Sequence, residues 1–407
     1  MVVALRGEEG SMFNLLMVCT DFPPDRGGIS TYSTELASAL VKSCRVTVLA
    51  PGASNIIGFD ESCNFRIIRT PSLPFVRIAA LFFYLPYLLM RFRFDAVLHT
   101  VWPTALISHL YYCFLPVSYF ISVHASEILD DKRTWRRSLK YHLRPWRNAA
   151  LNRATAIIPG SQYSANLIHS FGLTQKNIHV VPYGVDPQRF KPDMRSKDRG
   201  RPIRLLTVAR LDLHKGHDRV LEALGLIKSK GLVFEYFIAG EGDEEHRLRQ
   251  MSKKLGLENE VIFAGYIPDR ELPGVYASAD IFIMASREIP GRLDLIEGFG
   301  IAFLEASASG LPGIAGRSGG VADAVRNGQT GLLVNPENPK EIAEAIHLLL
   351  TSPDLCQHLG GEGRQWTMCQ MNWENAAKRL LDKVQRMNRE SPILSNSVAH
   401  VRNLRNY

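Results

Sequence analysis

The sequence predicts an α/β protein made of two doubly wound, parallel-sheet domains facing each other across a cleft. Three observations carry that prediction. The chain has 407 residues, too many for one ordinary core and suited to two domains. Short apolar runs alternate with amphipathic stretches, as strands alternating with helices do in parallel sheets. The rhythm stops once, in the polar, proline-broken stretch Pro187–Arg201 (PQRFKPDMRSKDRGR), and then restarts.

Residues 1–12 read as an N-terminal tail, because they carry Glu8 and Glu9 and lack the apolar stretch of a signal peptide. The first Rossmann-like domain, 13–190, has candidate strands at Asn14–Thr20, Arg45–Ala50, Phe65–Arg69, Asp95–His99, Pro116–Val123 and Thr155–Pro159, with a helix over Ile29–Val41. A linker over 191–202 precedes the second domain, 203–372. Its strands fall at Ile203–Ala209, Glu235–Ala239, Val261–Ala264, Ile281–Met284, Gly313–Ala315 and Gly331–Val334. Residues 373–390 read as a C-terminal helix packing back towards the first domain, and 391–407 as a tail with little pattern. Ligands of such folds bind beyond the carboxyl ends of the strands, so two facing domains place both sets of ends on one cleft.

Composition narrows the function classes. A hydrophobic content of 46% with 22% charged residues argues against a disordered chain and against a polytopic membrane protein. The net charge of +8 favours phosphates, nucleic acids or anionic lipid surfaces as partners. The six cysteines lie far apart, with no short metal-knuckle or redox spacing, which indicates a reducing, cytosolic compartment. The most apolar run, Ile78–Met90, has thirteen residues and contains Pro86, too short for a spanning helix. It reads either as a buried helix or as one that dips into a membrane surface, where Arg77, Arg91 and Arg93 would suit the interface.

Three segments carry candidate chemistry. Asp25-Arg26-Gly27-Gly28 follows the first strand and opens the first helix, where glycines admit a ligand to the backbone and a helix N-terminus favours an anion. It is not a dinucleotide fingerprint. Arg210 ends the first strand of the second domain and Lys215 follows five residues later, a pair placed to neutralise a diphosphate leaving group. Glu297-Gly298-Phe299-Gly300-Ile301 then leads into an apolar helix that keeps Glu305 and stops at Gly310-Leu311-Pro312. A carboxylate at each end can hold hydroxyls at two points of one ligand, and a glutamate in so apolar a helix needs a partner.

With His124 (in SVHASE), Val181-Pro182-Tyr183-Gly184-Val185-Asp186, Gly240-Glu241-Gly242 and Ser318-Gly319-Gly320, these segments stand in one order over residues 14–385. The ordered set resembles the family 4 glycosyltransferases of the GT-B architecture. The resemblance implies a retaining, metal-independent hexosyltransferase with no cofactor beyond its nucleotide-sugar substrate. Arg210 and Lys215 would grip the donor diphosphate, Glu305 the ribose hydroxyls, and Glu297 with the amides of Gly298, Phe299, Gly300 and Ile301 the transferred sugar. Gly27 and Gly28 would let the first domain close on the diphosphate, and His124 would stabilise positive character beside the sugar. Gly240 belongs to the same donor set, and Tyr266 and Ile267 would set backbone groups against the base. Tyr183 stands where the family often has Asn, a change expected to alter packing more than chemistry. The stretch Ser286–Glu297 is longer than in many members and is similar to the branch that mannosylates phosphatidylinositol-type lipids. The implied donors are GDP-mannose or a UDP-hexose or UDP-N-acetylhexosamine.

The acceptor is expected at the first domain. Lys132–Arg147 is rich in Lys and Arg with Trp135, Tyr141 and Trp146 interleaved. Arg133, Trp135, Arg136, Arg137 and Lys140 are the candidate contacts to a lipid-linked or polysaccharide acceptor and to an anionic membrane surface, on the cytoplasmic face. Three rivals remain. A nucleotide-sugar epimerase would share the cleft without needing this patch. A non-catalytic sugar-nucleotide or lipid binder would be marked by loss of Arg210, Lys215 or Glu305, all of which are present. Nucleic-acid binding has only charge to support it.

Overall fold

The computed structural model describes residues 12–53, 56–72, 76, 79–125, 128–129, 142–170, 173, 177–193, 201–292 and 295–390. The strands β1 (Asn14–Val18), β2 (Arg45–Ala50), β3 (Arg66–Arg69), β4 (Ala96–His99), β5 (Tyr119–Val123) and β6 (Ala156–Pro159) make one sheet in the order β3-β2-β1-β4-β5-β6. The strands β7 (Ile203–Val208), β8 (Phe234–Ala239), β9 (Val261–Gly265), β10 (Ile281–Met284), β11 (Gly313–Gly316) and β12 (Gly331–Val334) make a second, in the order β12-β11-β10-β7-β8-β9. Neighbours in both sheets run parallel. Counted from its own first strand, the second sheet repeats the order of the first. Each reverses direction once, between β1 and β4 and between β7 and β10, and a doubly wound fold opens its ligand crevice there.

The strands form where the sequence is apolar on both faces. Leu15–Val18, Val46–Ala50 and Tyr119–Val123 are buried throughout, because helices cover both sides of a parallel sheet. The helices beside the first sheet are α1 (Gly28–Leu40), α2 (Ile57–Ser62), α3 (Leu81–Arg91), α4 (Trp102–Tyr111), α5 (Arg144–Arg153) and α6 (Gln162–Ser170). Beside the second are α7 (His217–Lys228), α8 (Glu245–Lys254), α9 (Leu272–Ala277), α10 (Ile301–Ala308), α11 (Val321–Ala324), α12 (Pro339–Thr351) and α13 (Pro353–Cys369). Their ends follow local chemistry. The Asn338 side chain accepts from the amides of Lys340 and Glu341 to cap α12, with Pro339 in its first turn. Gly310, at φ +77°, ends α10.

The apolar run at 78–90 forms a helix that is buried on one side, as the first of its two expected readings has it. Within α3, Leu81, Leu85 and Leu88 are buried, whereas Phe83, Tyr87 and Met90 face outward. Residue 78 lies outside the described residues. The last helix, α14 (Trp373–Glu390), packs on α1. Its Leu380 and Val384 share an apolar cluster with Leu36 and Leu40 of α1, and Lys42 pairs with Glu374 at the surface. The cluster runs on through Tyr183, Phe299 and Trp373, so apolar packing continues from one sheet's layer to the other. Truncating Leu380 to Ala removes buried methyl groups at this contact. The expected cost is about 2–5 kcal/mol, read as a lowered melting temperature; an unchanged melting temperature would remove α14 from the account of stability.

Candidate active site

The loops at the two switch points hold most of the expected site. In the first domain, Gly27 (φ +129°) and Gly28 are exposed between β1 and α1, and a Cβ on either would meet no atom within 4 Å. That open ground lets a ligand reach the backbone at the start of α1. His124 follows β5 and is buried. Its Nε2 lies 2.7 Å from the Thr100 carbonyl, just past β4, and its Nδ1 meets the Tyr183 hydroxyl. A carbonyl only accepts, so Nε2 carries the proton, and in the neutral ring the hydroxyl then donates to Nδ1. Burial lowers the ring's pKa to about 4, so the imidazole is neutral at pH 7. Both ring nitrogens of His124 are thus engaged within the protein. Its carbonyl would lie 2.9 Å from a Cβ on Gly298.

In the second domain, Lys215 ends a short 3-10 turn, Leu213–Lys215, that closes with Gly216 in the left-handed region. A Cβ on Gly216 would stand 2.0 Å from the Ala285 carbonyl, which is why the turn can reach the end of β10. Lys215 Nζ lies 2.5 Å from Glu297 Oε2, with both side chains largely buried. Burial pushes the Glu297 carboxyl up, but the Lys215 ammonium, His214 and the Phe299 amide together hold it below the ordinary carboxylate range. Arg210 is different: its guanidinium is exposed and sits 2.7 Å from Asp212.

The Glu297–Gly300 loop is shaped by backbone approaching backbone. Gly320 donates to the Glu297 carbonyl, and a Cβ on Gly319 or Gly320 would come within 2.2 or 2.0 Å of the Glu297 or Gly298 carbonyl. The Ser318-Gly319-Gly320 motif therefore buttresses the donor loop. Gly240 likewise supports: a Cβ there would stand 2.0 Å from the Ala209 carbonyl, beside Arg210.

Glu305, inside α10, has found its partner in Tyr276 of α9, whose hydroxyl donates at 2.7 Å. Burial raises the Glu305 pKa to about 7, opposed by Tyr276 and by Arg189 and assisted by Asp269 and Glu35. Arg189 itself bridges the layers, 3.3 Å from Glu35 of α1 and 2.6 Å from Asp269. Tyr266 and Ile267 follow β9, and the Arg26 guanidinium lies 3.9 Å above the Tyr266 ring.

Two readings change. Tyr183 was expected to affect packing more than chemistry, yet its hydroxyl pairs with His124, because Gly160 leaves space for the ring. Arg147, counted in the basic stretch, is buried and donates to the Ile128 carbonyl at 2.6 Å, so it is no part of a surface patch. Arg133, Trp135, Arg136, Arg137 and Lys140 lie outside the described residues. Sequence reasoning missed Tyr276 and Arg189, whose partners are distant in sequence, and Asp212, which pairs with Arg210 only two residues away.

Comparison with known proteins agrees with this geometry. Residues 26–189 match the model "Glycosyltransferase Family 4", and residues 190–366 match "Glycosyl transferases group 1". The chain is similar to the GDP-mannose-dependent alpha-(1-6)-phosphatidylinositol monomannoside mannosyltransferase of Mycobacterium tuberculosis, 30% identical over 91% of this chain and 98% of that protein. Its counterpart in Mycolicibacterium smegmatis is 31% identical over 90% and 97%. Among solved structures, sucrose-phosphate synthase from Thermosynechococcus elongatus superposes with a TM-score of 0.76 at 20% identity, covering 93% of this chain and all of that one. HepE of Anabaena does so with 0.76 at 17% identity, covering 92% and 100%. These structures share the two-domain GT-B fold. With its motifs, sheet order and relatives in agreement, the chain belongs to the family 4 glycosyltransferases.

Proposed function

We propose that this glycosyltransferase moves a mannosyl group from GDP-mannose to a lipid-linked or saccharide acceptor, with retention at the anomeric carbon and without a metal. The observation that carries the reading is the buried Lys215–Glu297 pair at the second switch point, in a loop that meets the His124 carbonyl. The donor assignment rests on relatives named for GDP-mannose that match nearly the whole chain. In the reaction the bond from the anomeric carbon to the diphosphate oxygen breaks, and Lys215 and Arg210 stabilise the charge that develops. The acceptor oxygen bonds to the same carbon from the same face, and its proton passes to a phosphate oxygen. The His124 carbonyl supports positive character on the sugar, Glu297 and the following amides hold its hydroxyls, and Glu305 holds the ribose.

The test offers GDP-mannose, UDP-glucose and UDP-N-acetylglucosamine with a phosphatidylinositol mannoside acceptor, in the presence of a chelator. Turnover with GDP-mannose and an α-linked product by NMR is the expected result. Turnover only with a UDP-sugar, a β-linked product, or complete loss in chelator would each overturn the corresponding part. Lys215→Ala and Glu305→Ala should each cut turnover by at least about 100-fold; activity within a few-fold of wild type removes their assigned roles.

The raised pKa of Glu305 gives this role a pH signature. A ribose diol needs the carboxylate, so GDP-mannose binding should tighten by about tenfold between pH 6 and 8, and lose that dependence in Glu305→Gln. The native state holds the Glu305 proton more tightly than the unfolded chain does. Stability is therefore lost as pH rises from the unfolded pKa through about 7. Glu305→Gln should raise the melting temperature at pH 8, by up to roughly 3 kcal/mol of stability, and change little at pH 5. A binding constant flat in pH would sink the assignment.

The same proposal seats the enzyme peripherally on an anionic membrane, at the cytoplasmic face. Phe83, Tyr87 and Met90 stand on one face of α3, with Leu110 of α4, Phe114 and Trp146 of α5 also exposed on neighbouring elements. Phe83 and Phe114 are 74% and 81% exposed, and Arg91 and Arg93 flank α3. Among the described residues the six cysteines form no disulfide. Among the described residues no helix is long and apolar enough to cross a membrane. Flotation with anionic vesicles should lose at least about tenfold in binding for Phe83→Ser with Phe114→Ser, at low and high salt. Removing the charges of Arg133, Arg136 and Arg137 should weaken it at low salt alone. Binding unchanged in both variants would end the membrane reading.

A further inference from the structure

Tyr183 lies on the segment that passes from the first domain to the second, and its surroundings are built around it. A Cβ on Gly160 would fall 2.2–2.5 Å from the Tyr183 ring and hydroxyl, so only glycine leaves room for it. The ring centre lies 4.8 Å from Tyr32 of α1 and 4.9 Å from Phe299 of the donor loop, and the ring stacks at 6.5 Å on Trp373, the first residue of α14. Its hydroxyl reaches His124 Nδ1. Tyr32 packs edge-on against the same imidazole at 4.9 Å. The next residue, Ala125, has φ +59°, a left-handed conformation that surrounding structure must hold.

We propose that Tyr183 is a positioning residue for sugar transfer: by donating to Nδ1 of His124, whose Nε2–H tautomer the Thr100 carbonyl sets, it holds the imidazole in place and keeps the His124 carbonyl facing Gly298 and the sugar. The inference rests on the transferase reading above. It goes beyond it in tying the aim of that carbonyl to a residue that touches no substrate. Two anchors, the Thr100 carbonyl and the Tyr183 hydroxyl, hold the ring from opposite sides. Phe299 lies against the Tyr183 ring, so the residue that aims His124 also bears on the donor loop. An apolar ring of the same shape would keep all of this packing and lose only the hydrogen bond.

Tyr183→Phe isolates that bond. The expected result is a fall in kcat on the order of 10- to 100-fold, the scale of leaving a buried acceptor unpaired. KM for the donor should stay close to wild type, and the melting temperature should fall only by the modest amount that one unpaired buried acceptor costs. Histidine-selective 15N NMR, with His124 assigned through a His124→Asn variant, reads the ring directly and needs no turnover. Wild type should give a single neutral Nε2–H tautomer with the Nδ1 resonance of a nitrogen that accepts a hydrogen bond, and Tyr183→Phe should keep that tautomer, held by Thr100, while the Nδ1 resonance moves downfield as the bond is lost. An unchanged kcat, an unchanged Nδ1 resonance in Tyr183→Phe, or an Nδ1–H ring in wild type would each overturn the proposal. A protein inactive with every donor, but with the expected NMR change, would instead count against the transferase reading and leave the ring's anchoring in place.

Discussion

The site depends on how closely bare backbone can approach bare backbone around Glu297–Gly300. On one side, Gly298 comes up to the carbonyl of His124, a residue set by β5 of the other domain. On the other, Gly319 and Gly320 come up to the carbonyls of Glu297 and Gly298. At each contact a Cβ would have to occupy space already taken by a carbonyl oxygen. Interiors are close-packed, and such overlaps are relieved only by moving the chain. Any displacement of this loop would shift Glu297, its amides and the Phe299–Tyr183 contact together. The glycines of the donor motif and of Ser318-Gly319-Gly320 are thus two halves of one fit.

Charge is arranged on top of that fit. Two ions taken from water gain from each other only when geometry is good and remaining hydrogen bonds are filled, and Glu297 receives both Lys215 and the Phe299 amide. The pair keeps a cation buried at the switch point before any diphosphate arrives. Arg210 complements it from an exposed position, tethered by Asp212, where a guanidinium can reorient towards a ligand. One cation is preorganised and the other adaptable, a division suited to a leaving group whose charge grows during the reaction.

Much of this was legible in the sequence because parallel sheets bury both faces of their strands, and apolar runs such as Leu15–Val18 and Ile281–Met284 can be read without tertiary information. The expected strands appear in both sheets, trimmed where polar or proline residues flank them, as at Pro116–Ser118 before β5. Arg210 and Lys215 were legible because they follow a strand end, where the fold places ligands, Glu297 because glycines follow it ahead of a helix, and Glu305 because it stands in an otherwise apolar helix. What stayed hidden depends on neighbours far along the chain. Nothing near Tyr183 announces His124, fifty-nine residues away, and nothing in α10 points to Tyr276. The two readings of the run at 78–90 could not be separated in the sequence because a helix with a wide apolar surface can bury Leu85 and still present Phe83 to the outside.

Glu305 draws these threads together. A core that existed only for stability would have no use for a half-buried carboxylate whose proton is released near neutral pH, and its helix is otherwise apolar. Tyr276 satisfies one oxygen, and Arg189 lends distant positive charge, but neither brings the pKa back to its ordinary value. The residual cost falls on the ligand-free protein as the carboxyl ionises, at and above about pH 7. A cost of that kind persists where a ligand removes it, and two ribose hydroxyls donating to the carboxylate would do so. Donor binding would then settle both the charge of Glu305 and the geometry around it. The same arrangement makes the empty cleft less stable than the filled one.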